Sequence, residues 1–196
     1  MASPVQFSIV VLSGVLTWPN LITTTRLAAL PFYVVLLARD RVVPACFLLG
    51  FLGATDWVDG WVARRFDQIS EFGKVLDPVA DRIVFFVGIG AALWHSYFPV
   101  VFGGLILVRE VGIAVLMVGG TLLGMERFPV TTAGKRATFA LLCAVPWITI
   151  GSAGGVWLVA EAAGWIVGVP GLILSYVTFF QYLPMVRANL ASRNVA

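Results

Sequence analysis

The chain has 196 residues, 60% of them hydrophobic and only 12% charged. An ordinary soluble domain carries about 25% charged residues, so a soluble globular fold is excluded and an all-α, polytopic membrane protein is expected. The formal net charge of +3, gathered on one face, suits an anionic lipid surface, and no nucleic-acid partner is expected.

In chain order, an apolar stretch at 5–16 comes first. No basic segment precedes it and no small-x-small cleavage pattern comes after it, so a removed signal peptide is not expected. It is too short to span a bilayer, which predicts an N-terminal interfacial or re-entrant helix over residues 1–20. Pro19 separates it from the first span. Six runs of about 20 apolar residues, the length a spanning helix needs, then occupy 21–38, 42–64, 77–94, 98–123, 132–152 and 164–185. They predict a single integral membrane domain, with a six-helix bundle over 21–188.

The basic residues orient it. Arg64, Arg65 and Lys74 lie between spans two and three, Arg127, Lys135 and Arg136 around the start of span five, and Arg187 and Arg193 in the tail. The stretches around His95 and Gly154 carry no Lys or Arg. The excess directs the basic segments and both termini to the cytoplasm, although Arg39 and Arg41 run against it. Cys46 and Cys143 sit in apolar helices at no metal-ligand spacing and read as small buried hydrophobes. His95, between Trp94 and Tyr97, reads as an interfacial residue.

Four carboxylates carry the chemistry. Asp56 and Asp59 are three apart and Asp77 and Asp81 four apart, so on helices each pair falls on one face. Charges at membrane depth are costly and mark functional sites. An anionic pocket built from two facing helices calls for hard divalent cations, and Mg²⁺ is commonly shared between carboxylates and substrate phosphates. Gly60 and Ala63 let a ligand approach the backbone, and Arg64 supplies a fork of donors. Together these suggest phosphoryl-type transfer between a nucleotide-linked lipid and an alcohol, with one carboxylate left to take a proton. Two structural alternatives compete. Asp77-Pro78 reads as a helix N-cap with proline in the first turn, and Asp56 and Asp59 can be paired with Arg64 and Arg82. A cation path through a transporter is a third reading, weakened by the absence of paired broken helices.

The run Asp56-x-x-Asp59-Gly60-x-x-Ala63-Arg64, eight residues, Gly73-x-x-x-Asp77-x-x-x-Asp81 resembles the motif of the CDP-alcohol phosphotransferases at every fixed position. The resemblance implies that Asp56, Asp59, Asp77 and Asp81 hold two Mg²⁺ or Mn²⁺ ions and that Asp81 is the general base. It implies that Gly60, Ala63, Arg64, Gly73 and Asp59 hold the CDP moiety of CDP-diacylglycerol, CMP being released. Residues 19–26, Pro-Asn-Leu-Ile-Thr-Thr-Thr-Arg, are similar to a segment of the phosphatidylglycerophosphate synthase and cardiolipin synthase branch. By that likeness Asn20, Thr23 and Arg26 lie near the nucleotide. Arg109-Glu110 and the Gly134-Lys135-Arg136-Ala137-Thr138 segment resemble the same branch, and make Arg109, Lys135 and Arg136 the residues expected on an anionic acceptor. Glycerol 3-phosphate is the expected acceptor, with phosphatidylglycerol as the alternative. Members of the family form homodimers, which implies one here, and Gly112, Gly119 and Gly120 offer a close-packing face. The expected location is the cell membrane, with the active site facing the cytoplasm.

Overall fold

The computed structural model describes residues 18–66, 73–123 and 131–193, with side chains described over 20–55, 79–123, 131–187 and at 189. All regular structure there is helical. The helices are α1 (Trp18–Ala38), α2 (Val42–Phe66), α3 (Gly73–Trp94), α4 (Val100–Leu122), α5 (Thr132–Gly151) and α6 (Leu158–Arg193), with a 3₁₀ turn at Gly155–Trp157. The interfacial segment expected over 1–20 lies outside the described residues, except that positions 18–20 already belong to α1.

Among the described residues, three stretches are long and apolar enough to cross a membrane: Asn20–Ala38, Val100–Leu122 and Gly155–Arg187. Val42–Thr55 is a shorter apolar helix. Helix α5 opens on Gly134-Lys135-Arg136, which dilutes its apolar run. Phe32, Phe47, Phe51, Val108, Val115 and Ile166 all stand exposed, an outward apolar surface that water would not tolerate but lipid does.

The chain divides into two compact units, Met1–His95 and Ser96–Ala196. In the first, α1 ends in a tight turn at Arg39-Asp40-Arg41. Asp40 takes a left-handed conformation (φ 56°), which Asp tolerates better than most residues. There the amide of Arg41 donates to the Leu36 carbonyl at 2.8 Å. This reversal brings α2 back along α1, and α1 packs against both α2 and α3. The core is Leu30, Tyr33 and Leu37 of α1, Ala45, Leu49 and Leu52 of α2, and Val84, Phe85 and Ile89 of α3. The buried Tyr33 phenol donates to the Gly88 carbonyl at 2.8 Å. A Cβ at Gly88 would stand 3.0 Å from Leu49 Cδ1, so the missing side chain is what lets α2 press on α3.

In the second unit Thr131 caps α5, its hydroxyl accepting from the Gly134 amide at 3.2 Å. Helices α5 and α6 pack most tightly, along a seam in which Gly164, Gly168 and Gly171 meet Ile148, Ala144 and Ala140. Phe102 of α4 stacks on Trp165 of α6 with ring centroids 4.9 Å apart, and the Tyr176 phenol donates to the Leu105 carbonyl. Gly112 faces Phe179 and Gly120 is buried, whereas nothing stands within 4 Å of a Cβ at Gly119. The small residues of α4 therefore serve packing inside this unit at two positions of three.

Five of the helices match the ranges expected for the apolar runs to within a few residues. The sixth does not, for α6 covers 36 residues instead of 164–185, about 54 Å at 1.5 Å per residue. Gly164 is a packing residue inside the helix, and Pro170 and Pro184 are absorbed into it. The reading of Asp77 as an N-cap also fails, because α3 begins at Gly73 and Asp77 stands in its second turn.

Candidate active site

Helix α1 buries one stripe: Asn20, Thr23, Arg26, Leu30, Tyr33 and Leu37, spaced three and four apart as a helical face requires. The stripe is polar in its first half and apolar in its second. Thr24 and Thr25, off the stripe, bond their own helix at the carbonyls of Asn20 and Leu21. Buried polar side chains in an apolar helix are costly unless bonded, so the polar half marks where α1 meets chemistry rather than lipid. That meeting is with α3: Arg26 Nη1 donates to Asp81 Oδ1 at 2.7 Å. The guanidinium is 3% exposed and the carboxylate 45%. Arg26 is thus a fixed internal cation, and Asp81 sits at the edge of solvent or ligand space with one oxygen anchored.

The backbone is helical through 56–66 and from 73 onward, so Asp56 and Asp59 do lie one turn apart on α2, and Asp77 and Asp81 one turn apart on α3. The side chains of Asp56, Asp59, Gly60, Ala63, Arg64, Gly73 and Asp77 lie outside the described residues. Among the described residues no three His, Cys, Asp or Glu side chains converge. The partner seen for Asp81 is Arg26 of another helix. Motif reasoning placed Arg26 only near the nucleotide. The signal that could have found the pair is electrostatic, since an arginine inside an apolar span needs a carboxylate.

In the second unit Arg109 and Glu110 are both buried in α4, at 2% and 1% side-chain exposure, and form an ion pair. Arg109 also reaches outward. Its Nε donates to the Ser175 carbonyl of α6 at 3.3 Å, and its Nη1 to Thr138 Oγ1 of α5 at 3.4 Å. One guanidinium therefore ties three helices together. Lys135 and Arg136, by contrast, are exposed on the first turns of α5. The positive end of a helix disfavours cations, and these two stand in its second turn, open to solvent.

Comparison with known proteins points the same way. The CDP-alcohol phosphatidyltransferase family profile matches residues 16–177. The chain is 33% identical over 184 residues to the CMP-forming cardiolipin synthase of Streptomyces coelicolor, covering 88% of this chain and 84% of that one. It is 33% identical over 188 residues to a putative cardiolipin synthase of Mycobacterium tuberculosis, with 88% and 85% covered. It is 30% identical over 180 residues to the CDP-diacylglycerol–glycerol-3-phosphate 3-phosphatidyltransferase of Escherichia coli K12, with 88% and 96% covered. The eight positions of the Asp motif all lie inside the matched range, and the chain belongs to the CDP-alcohol phosphatidyltransferases.

Proposed function

We propose that this protein is a multi-pass membrane enzyme of phospholipid synthesis that transfers the phosphatidyl group of CDP-diacylglycerol to an anionic alcohol and releases CMP. The observation that carries the reading is the Arg26–Asp81 pair. It puts the last carboxylate of the family motif on a buried cation while leaving it half exposed, as a group that must both hold its position and meet a substrate requires.

Asp56, Asp59, Asp77 and Asp81 fit a pair of Mg²⁺ or Mn²⁺ ions by donor chemistry, being hard oxygen donors at one-turn spacing on two helices. Bound there, such ions supply neutralisation of the diphosphate and of the departing CMP. The chain's own residues do the rest. Gly60, Ala63 and Gly73 leave room for the nucleotide along the helix backbone, and Arg64, Asn20 and Thr23 supply polar contacts to it. The acceptor hydroxyl attacks the phosphorus that bears diacylglycerol. As the new P–O bond forms, the bond to CMP breaks, and Asp81 takes the hydroxyl proton. Arg26 keeps the Asp81 carboxylate in one orientation through this exchange.

Lys135 and Arg136 bind the acceptor's phosphate, where their charge and the α5 dipole add. Arg109 belongs to the same region, since it bonds Thr138, one turn beyond Lys135. Glycerol 3-phosphate stands first as acceptor, on the Escherichia coli relative, which is covered over 96% of its length. Phosphatidylglycerol is the second reading, favoured by the names of the actinobacterial relatives. Six spanning helices, an interfacial helix at 1–20, a cytoplasm-facing site in the cell membrane and a homodimer complete the proposal.

The test is CMP release from CDP-diacylglycerol by the purified protein with Mg²⁺, using glycerol 3-phosphate, phosphatidylglycerol, inositol phosphate or no acceptor. Release with a single acceptor names the enzyme. Silence with all of them, in folded protein, refutes the proposal.

A further inference from the structure

Tyr182 of α6 lies outside every motif, yet it is 1% exposed and its phenol bonds Thr131, the N-cap of α5. The Tyr182 oxygen accepts from the Thr131 amide at 3.0 Å and shares a second hydrogen bond with Thr131 Oγ1 at 3.0 Å. The bonding balances whichever hydroxyl donates in the second bond: the phenol accepts from the amide, and Thr131 Oγ1 keeps a lone pair for the Gly134 amide at 3.2 Å. The Thr131 carbonyl in turn accepts from the amide of Lys135 at 3.1 Å. A chain of bonds therefore runs from a buried phenol, through the cap residue, to the backbone of the first exposed cation of α5.

Thr131 alone suffices to cap a helix, and a phenylalanine would fill the same space without bringing a hydroxyl into an apolar interface. The added phenol does something else: it fixes where α5 begins relative to α6. Lys135 and Arg136 project from the next turns of α5, and misplacing a substrate-binding group by about 1 Å can cost as much as 100-fold. We propose that Tyr182 is a positioning residue for acceptor binding, acting through Thr131 on the turn that presents Lys135 and Arg136. The inference rests on the assignment of those two residues to the acceptor's phosphate.

The experiment uses the full chain in detergent. CMP release is measured with glycerol 3-phosphate and, separately, with phosphatidylglycerol, for Tyr182→Phe, Thr131→Ala, Thr131→Ser, Lys135→Gln and the Tyr182→Phe/Lys135→Gln double variant. Losing the phenol bonds, or the Thr131 hydroxyl, should raise the acceptor KM about three- to tenfold, the range one or two neutral hydrogen bonds span. The kcat and the KM for CDP-diacylglycerol should stay within about twofold, a margin smaller than one such bond. Thr131→Ser, which keeps the hydroxyl, should match the wild type. The double variant should raise the acceptor KM by less than the product of the two single effects, because only Arg136 is then left for the phenol to position. A loss spread over kcat and both KM values, or a double variant whose effects multiply, overturns the proposal. If Tyr182→Phe fails to fold, the Ala and Ser variants at Thr131 decide by the same criterion. If Lys135→Gln itself leaves the acceptor KM unchanged, the acceptor assignment falls first and takes this inference with it.

Discussion

Replacing Gly164 by alanine tests the packing that holds the second unit together. An added Cβ would stand 2.8 Å from Ile148 Cγ1, 2.9 Å from the Ile148 backbone nitrogen and 3.0 Å from Trp147 Cβ. Carbon atoms rest about 3.5–4.0 Å apart. The Ile148 side chain can swing aside, but its backbone nitrogen moves only with α5. The two helices must therefore part along the seam, forfeiting contacts at Gly168 and Gly171 as well. Overpacking of this kind costs about 1–3 kcal/mol, against which alanine gains about 0.5–1 kcal/mol over glycine in a helix interior. A net loss of up to about 2.5 kcal/mol is expected, and for a chain of this size it lowers the melting temperature by up to about 10 °C. The assay is thermal unfolding in detergent, with Gly104→Ala as the control. Gly104 is also inside a helix, but nothing stands within 4 Å of its Cβ, so alanine there should stabilise slightly. If Gly164→Ala melts at or above Gly104→Ala, the seam is not in backbone contact and the reasoning fails.

The other expectations concern the site and its scaffold. Asp81→Asn removes the proton acceptor and should lower CMP release at least about 100-fold in protein that still elutes as a folded species; activity within tenfold of wild type would exclude Asp81 as the base. Arg26→Gln leaves a half-exposed carboxylate to water, so it should fold, yet lose activity at every acceptor concentration because Asp81 is no longer oriented; a change confined to the acceptor KM would contradict that. Tyr33→Phe strips the buried bond to the Gly88 carbonyl and should cost about 1–2 kcal/mol by thermal unfolding with little effect on turnover per folded molecule. Glu110→Ala, which strands a buried guanidinium, should cost about 3–5 kcal/mol and show as a sharp loss of folded yield.

Much of the architecture was legible because punctuation and hydropathy agree. Arg39-Asp40-Arg41 interrupts an apolar run where the chain must turn, and the helices begin and end beside it as expected. The same reasoning drew α6 too short, at 164–185 instead of Leu158–Arg193, although Pro170 and Pro184 inside it are residues that ordinarily break a helix. Tertiary contact overrides such local signals: Gly164 is there for the sake of Ile148, while Leu158 to Ala163, led by Glu161 in the first turn, is good helical sequence. Asp77-Pro78 misled in the same way. Of the candidate site, residue identities and one-turn spacings were readable, because a helix converts spacing into facing. Partners were not. The Arg26–Asp81 bond spans 55 positions and the Tyr182–Thr131 bond 51, and only the packing of one helix on another creates them.

Both units solve one electrostatic problem in one way. Among the described residues, each is a run of three α-helices whose first member carries an arginine inside an apolar stretch, Arg26 in α1 and Arg109 in α4. Lipid forbids such a charge unless it is paired, so in each unit the arginine is obliged to reach a neighbouring helix or an adjacent carboxylate. In the second unit it pairs within its own helix, through Glu110, and its spare donors reach Ser175 and Thr138. The charge is neutralised internally, which makes it a brace. In the first unit the partner is Asp81, on another helix and 45% exposed. That charge is neutralised by a carboxylate still open to solvent or ligand. The counter-charge of Arg109 thus lies inside its own helix, and that of Arg26 on a half-exposed group of a neighbouring one.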